Sequence, residues 1–171
     1  MTVSNHAQPL NNDPEVSPVK AYIGCSWFND EQVALMNAGL KAIESNPTVS
    51  RKFSHYPLDF QYKDLNVTEH PEVMGDIEWQ VQTFRSDIAG IQSSDIGIML
   101  YNPSQIDDGI AYECGALATM NKPVVVVIPD EDTKPLNLMI AYGVTRIIKL
   151  SELAEFDFRH ITLGTYQGRV F

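Results

Sequence analysis

The sequence predicts a doubly wound α/β fold of the flavodoxin or Rossmann type: a mostly parallel five-stranded sheet with helices on both faces. Three observations carry this prediction. Short apolar runs alternate with amphipathic stretches from Ala21 onward, the order required by a parallel sheet with helical crossovers. One run, Val124–Ile128, is β-branched and wholly apolar, as strands buried on both faces are. Between the runs the spacing is helical, most clearly at Ile77, Val81, Phe84, Ile88 and Ile91, which step by four, three, four and three.

Taken in order, residues 1–20 mix Pro, Asn, Ser and charge with no apolar period and read as a flexible lead-in. Residues 21–171 are expected to form one domain, as suits a chain of 171 residues. AYIGCSWF reads as the first strand, and Asn29 or Asp30 caps a helix carrying Val33, Leu35, Met36, Leu40 and Ile43, which ends before Asn46-Pro47. Phe53–Leu58 is the expected second strand, followed by a long polar loop dotted with aromatics, a place to look for binding. A helix from about Asp76 to Ser93 follows, then the strand SSDIGIMLY, the loop SQIDDG and the helix GIAYECGALATM. After Lys122-Pro123 come the VVVVIP strand, a short helix in PLNLMIAYG, a last strand in VTRIIKL and a terminal helical turn in SELAEF. Ligands of such sheets bind beyond the carboxyl ends of the strands. Functional residues are therefore expected just after Gly24, Leu58, Leu100 and Pro129.

Composition excludes several classes. With 12 Lys and Arg against 22 Asp and Glu the formal net charge is -10, and the scattered basic residues make no patch for a nucleic-acid polymer. No apolar stretch approaches the roughly 20 residues of a membrane helix, and no basic start precedes an apolar block as in a secretory signal. Cys25 and Cys114 lack metal-type spacing and read as reduced, buried thiols of a cytoplasmic protein.

The common catalytic motifs are missing. No GxGxxG follows the first strand, and there is no GxxxxGK[ST] loop. His6, His55, His70 and His160 stand apart without HExxH or paired CxxC, so no metal and no cofactor is expected. There is no GxSxG elbow, and Cys114 has no activating His nearby in sequence. What remains is carboxylates, aromatics and amides. Asp107, Asp108 and Gly109 lie in a loop after a strand, and Glu113 follows in the first turns of a helix. The positive end of the helix dipole favours an ionised carboxylate there, the form that attacks a glycosidic carbon; an ordinary capping charge is the alternative on spacing alone. Asp87 sits at the margin of the long helix's apolar stripe, where a partly desolvated acid can protonate a leaving base and a solvated helix-edge Asp is the alternative. Trp27 and Phe28 fall where the crevice should open, suited to stacking on a planar base or to core packing.

From about Tyr22 to the C-terminus the chain resembles the nucleoside 2-deoxyribosyltransferases of the lactobacillus type. The matching segments, in order, are YIGCSWF, ESNPT, PLDFQYK, EHPE, SDIAGI, DDGIAYECGA, VIPDED and PLNLMIAYGV. The resemblance implies an enzyme that moves 2-deoxyribose between the bases of 2'-deoxynucleosides. Glu113 corresponds to the nucleophile that attacks C1', Tyr22 to the hydroxyl that orients it, and Asp87 to the acid that contacts and protonates the departing base. Gln61 corresponds to an amide that reads the base, and Asp107 to the acid that binds the sugar's 5'-hydroxyl. Trp27 and Phe28 become walls of the base pocket. The resemblance also implies a hexamer built as a trimer of dimers, with Asn137 and Met139 supplied by a neighbouring subunit. The chain departs from the family at Cys25-Ser26, at Cys114 and at its last residue, Phe171 in place of Tyr, which removes a hydroxyl if the terminus lines the pocket.

The expected reaction is a double displacement through a covalent deoxyribosyl-Glu113 intermediate, serving nucleoside salvage. Its partners are 2'-deoxynucleosides and free purine or pyrimidine bases, neutral ligands that need no cationic funnel. The loop from Phe60 to Glu72 is expected to shield the intermediate from water. Two rivals remain: a 2'-deoxynucleoside 5'-monophosphate hydrolase on the same fold, disfavoured because Asp107 would repel phosphate, and a non-enzymatic nucleoside-binding module.

Overall fold

The computed structural model describes residues 17–131 and 134–171, so most of the expected lead-in lies outside the described residues. Four parallel strands, β1 (Ala21–Cys25), β2 (Ile96–Leu100), β3 (Val124–Ile128) and β4 (Arg146–Lys149), pair in sequence order. Four helices, α1 (Asp30–Ser45), α2 (Ile77–Ser93), α3 (Asp108–Thr119) and α4 (Leu138–Gly143), join or flank them. Every residue of β1, β2 and β3 is buried, the pattern of a sheet covered on both faces. One face packs Ile23, Ile98 and Val125 against Leu35 and Ile43 of α1 and against Leu153 and Phe158. The other packs Tyr22, Met99 and Val126 against Ile91 of α2, Leu117 of α3 and Ile140 of α4.

The expected fifth strand shrinks to a single bridge. His55 pairs with Tyr22 on the side of β1 away from β2, its N–H donating to Ala21 and its carbonyl accepting from Ile23, both at 2.8 Å. The rest of Phe53–Leu58 cannot extend the ladder: Pro57 has no N–H, and the Ala21 N–H is taken by the Ser54 hydroxyl at 2.9 Å. Counting this remnant, the spatial order is the flavodoxin order, with the chain reversing direction around β1. The crevice belongs at that switch point, between the ends of β1 and β2.

The N-terminus of α1 is capped by Asn29, one of its two expected candidates, and that of α2 by Asp76. Asn29 accepts from the Gln32 N–H at 3.0 Å and Asp76 from the Glu78 N–H at 2.9 Å. On α2 the apolar period is as read, yet only its C-terminal half is covered. Along that stripe Ile91 is fully buried, whereas Ile77 is 74% and Phe84 55% exposed. The loop before α2 is a string of single 3-10 turns at Pro57–Asp59, Tyr62–Asp64 and Pro71–Gly75. It is seated by a small core of its own, Val67, Val73 and Trp79, with Trp27, Leu58, Tyr62 and Leu65 against it.

Leu117 is fully buried and lies directly on Gly97, where any Cβ would stand 2.4 Å from its Cδ1. Truncation to Leu117→Ala leaves a void on the β2 ladder and is expected to lower unfolding stability by about 3 kcal/mol in urea titration, with an unchanged m-value.

Candidate active site

The site is assembled from three neighbouring pieces of the switch point. Tyr22, the second residue of β1, is fully buried, and its hydroxyl donates to Glu113 Oε1 at 2.7 Å. Glu113, in the second turn of α3, leans over β1 at Gly24, where a Cβ would stand 2.7 Å from Oε2. A side chain there would displace both the carboxylate and the Met99 methyl. Asp107, at the N-cap of α3, accepts from the Ile110 N–H and the Ser26 hydroxyl, each at 2.9 Å. Ser26 is the residue after β1 and Asp107 lies in the loop after β2, so this bond ties the two rims of the crevice together.

Electrostatics set the state of Glu113. Burial, opposed by the Tyr22 hydrogen bond and assisted by the negative charges of Asp87 and Asp107, pushes its carboxyl up from 4.5 to about 7. Tyr22 itself is driven upward by burial and by Glu113, so it stays a donor. An acid poised near neutrality in a cleft marks a reactive group more often than a capping charge. Capping of α3 falls to Asp107, which removes the plainer reading of Glu113.

A cleft of about 470 Å³ opens against this carboxylate, bounded by Asp87, Thr83, Phe84 and Ile88 of α2, and by Gly109, Tyr112 and Glu113 of α3. Phe84 and Tyr112 face each other across it, ring centroids 6.2 Å apart. Asp87 is partly buried, with Oδ1 3.5 Å from His55 Nε2. Within one chain the structure thus brings together Tyr22, Asp87, Asp107 and Glu113.

The remaining predicted residues lie apart from that cleft. Gln61 spends its amide on its own loop, donating to the Pro57 carbonyl at 3.0 Å and accepting from the Val67 N–H at 3.4 Å. Trp27 packs against the loop's satellite core, and exposed Phe28 tilts against it at 5.2 Å. Asn137 caps α4 by accepting from the Met139 N–H at 2.9 Å. The C-terminus is laced to the segment before α4, with the Phe171 N–H on the Leu136 carbonyl at 3.1 Å. Asn137, Met139 and Phe171 therefore line a second cavity of about 490 Å³ on the Cys114 side of α3. Met139 is 75% and Phe171 60% exposed. Both cysteines are free and buried, and burial pushes each thiol to about 12, which leaves them unreactive.

Comparison with known proteins meets this geometry. The family model described as nucleoside 2-deoxyribosyltransferase matches residues 21–139. The nucleoside deoxyribosyltransferase of Lactobacillus leichmannii is 40% identical over 152 residues, covering 88% of this chain and 96% of its own. That of Limosilactobacillus fermentum is 40% identical over 157 residues, covering 88% and 92%. The chain belongs to the nucleoside 2-deoxyribosyltransferase family. A solved 2-deoxyribosyltransferase from Bacillus psychrosaccharolyticus, 22% identical, shares the fold with a TM-score of 0.70 over 86% of this chain and 98% of that one. As a member of this family the chain is an enzyme of the pentosyltransferase class.

What spacing did not reveal is His55. Its ring stacks between Tyr22, at 5.6 Å, and Phe60, at 4.5 Å, within 9° of parallel to each. The only signal that could have found it is the bridge to β1, which sets residue 55 beside residue 22.

A nucleophilic carboxylate works ionised, so with Glu113 near 7 the value of kcat/KM is expected to fall as pH drops below about 7. In Tyr22→Phe the lost hydrogen bond moves that acid limb upward by about one pH unit. Stability runs the other way. A carboxyl whose folded pKa lies above its unfolded value holds its proton more tightly in the fold, and the stability this gives fades as pH rises from 4.5 through about 7. Glu113→Gln should therefore be more stable than the parent at pH 8 by on the order of 2 kcal/mol, seen as a higher unfolding temperature, and should match it near pH 4.5.

Proposed function

We propose that this protein transfers the 2-deoxyribosyl group between purine or pyrimidine bases by double displacement through a covalent ester on Glu113. The observation that carries the reading is the single carboxylate of Glu113, fixed by Tyr22 at 2.7 Å, beside a cleft with Asp87 on its opposite wall. In the first step Glu113 attacks C1', the C1'–N bond breaks with its electron pair going to the base, and Asp87 supplies the base with a proton. In the second step the incoming base attacks C1', Glu113 leaves as carboxylate, and the proton lost by the base returns to Asp87. Two inversions restore the β configuration. Asp107 takes the 5'-hydroxyl on lone pairs that its bonds to Ile110 and Ser26 leave open, and Gln61, Trp27 and Phe28 join the base site through the loop. The substrates are neutral 2'-deoxynucleosides and free bases, handled in cytoplasmic salvage. Among the described residues no helix is long and apolar enough to cross a membrane.

The working form on this reading is a hexamer, a trimer of dimers. Support comes from the exposed apolar row Ile77, Val81, Phe84 and Tyr112 beside the cleft, and from the distribution of the predicted residues over two cavities. Asn137, Met139 and Phe171 are tethered on the far side of α3 from Glu113, so they can serve a nucleoside only in another copy's cleft.

Incubation with thymidine and adenine should yield deoxyadenosine and thymine. Thymine without deoxyadenosine would point to a hydrolase, and no reaction to a binding module. Glu113→Ala should abolish exchange; an unchanged rate rules out the nucleophile. If sites are completed across an isologous contact, mixing and reassembling Glu113→Ala with Asn137→Ala restores about a quarter of parental activity, since half the dimers then hold one intact site of two.

A further inference from the structure

We propose that His55 is a positioning residue for the reaction, holding Asp87 through Nε2 so that the acid's other oxygen faces the base. The inference rests on the transferase reading above. His55 stands where the chain gives its imidazole no other orientation. Its main chain is bonded to β1 on both sides, and Tyr22 and Phe60 clasp its ring face to face. The ring edge lies on Gly90 of α2, where any Cβ would come within 2.3 Å of Cγ. Gly90 is one turn beyond Asp87, so the same contact that fixes the ring also sets its distance to the acid.

Within that clasp Nε2 is buried with no hydrogen-bond partner, and Asp87 Oδ1 stands 3.5 Å away. A buried polar nitrogen is normally paired, and a small rotation of the Asp87 side chain closes the gap. In the tautomer carrying hydrogen on Nε2, the ring donates to Oδ1, so the proton that Asp87 takes up with the substrate and passes to the base rides on Oδ2. As the C1'–N bond breaks, its electron pair goes to the base and the Oδ2 proton follows. Asp87 becomes an anion, and the imidazole N–H to Oδ1 becomes a charge-assisted bond, stronger than in the ground state. An interaction that strengthens only as charge develops acts on kcat and leaves binding alone. The same ring touches Tyr22, which holds Glu113, so one aromatic stack registers both carboxylates.

The test separates the donor from the ring. His55→Phe keeps a flat ring between Tyr22 and Phe60 and deletes the N–H, while His55→Gln restores an N–H near the position of Nε2. In thymidine–adenine exchange His55→Phe should lose about 10- to 100-fold in kcat with KM for thymidine within about twofold, the effect of removing one charge-assisted hydrogen bond. His55→Gln should recover most of that loss. With 2'-deoxy-5-fluorouridine as donor, whose more acidic base needs less help from a proton, the His55→Phe loss should be at least about twofold smaller than with thymidine. A His55→Phe enzyme as fast as the parent, a loss confined to KM, a His55→Gln enzyme no better than His55→Phe, or equal losses with both donors would overturn the assignment while the parent still exchanges bases. A parent that exchanges no base overturns the transferase reading and this inference together.

Discussion

The hydroxyl of Tyr22 and the carboxylate of Glu113 form the contact on which the rest of the site depends. Glu113 lies over β1, where burial and the charges of Asp87 and Asp107 drive it toward the neutral form. The phenol is the group that draws it back. Tyr22 can do this because it is itself fully buried in the second strand position of β1 and packed with Met99 and Val126, so its hydroxyl has a fixed place. The resulting value near 7 suits an exchange reaction in which one bond is both made and broken. A strongly acidic carboxylate would leave well and attack poorly, and a strongly basic one the reverse. A group balanced near neutrality serves both half-reactions without favouring either.

That balance explains several sequence choices at once. Gly24 is the next residue of β1 on the same face, and its lack of a side chain admits Oε2. Asp107 caps α3, and Glu113, in the helix's second turn, is left to the crevice. The bond from Ser26 to Asp107 then fixes where α3 begins relative to the end of β1, and so fixes the height of Glu113 above Tyr22.

The parallel sheet was legible because β1, β2 and β3 are short, apolar and buried on both faces, and period and burial then carry the same message. The second strand was not, because Ser54, His55 and Pro57 look like an alternating edge while their hydrogen-bonding groups can make only one rung. The stripe on α2 shows a related limit: a helical period names the apolar side, and what covers that side is a matter of where the helix ends in space. Among site residues, Glu113 and Asp107 stood out because acids beside a strand end need a reason, and Asp87 because it borders the apolar stripe of a helix. His55 did not, since nothing in spacing places a histidine next to an acid 32 positions later; only the bridge to Tyr22 and the bare surface of Gly90 bring them together.

The acidic balance of the chain bears on which ligand such a site admits. Three carboxylates, Asp87, Asp107 and Glu113, act on one another across the crevice, in a chain of net charge -10. A 5'-phosphate would have to enter that field with Asp107 already committed to a helix cap and a serine, where it offers acceptors and no donor. A sugar hydroxyl meets the opposite situation, since it donates to a carboxylate and brings no charge. Burial that pushes Glu113 toward neutrality reinforces the same preference: each further negative charge would raise its pKa again and withdraw the ionised form that attacks. The electrostatics that tune the nucleophile and those that select an uncharged nucleoside are therefore one field acting on two groups.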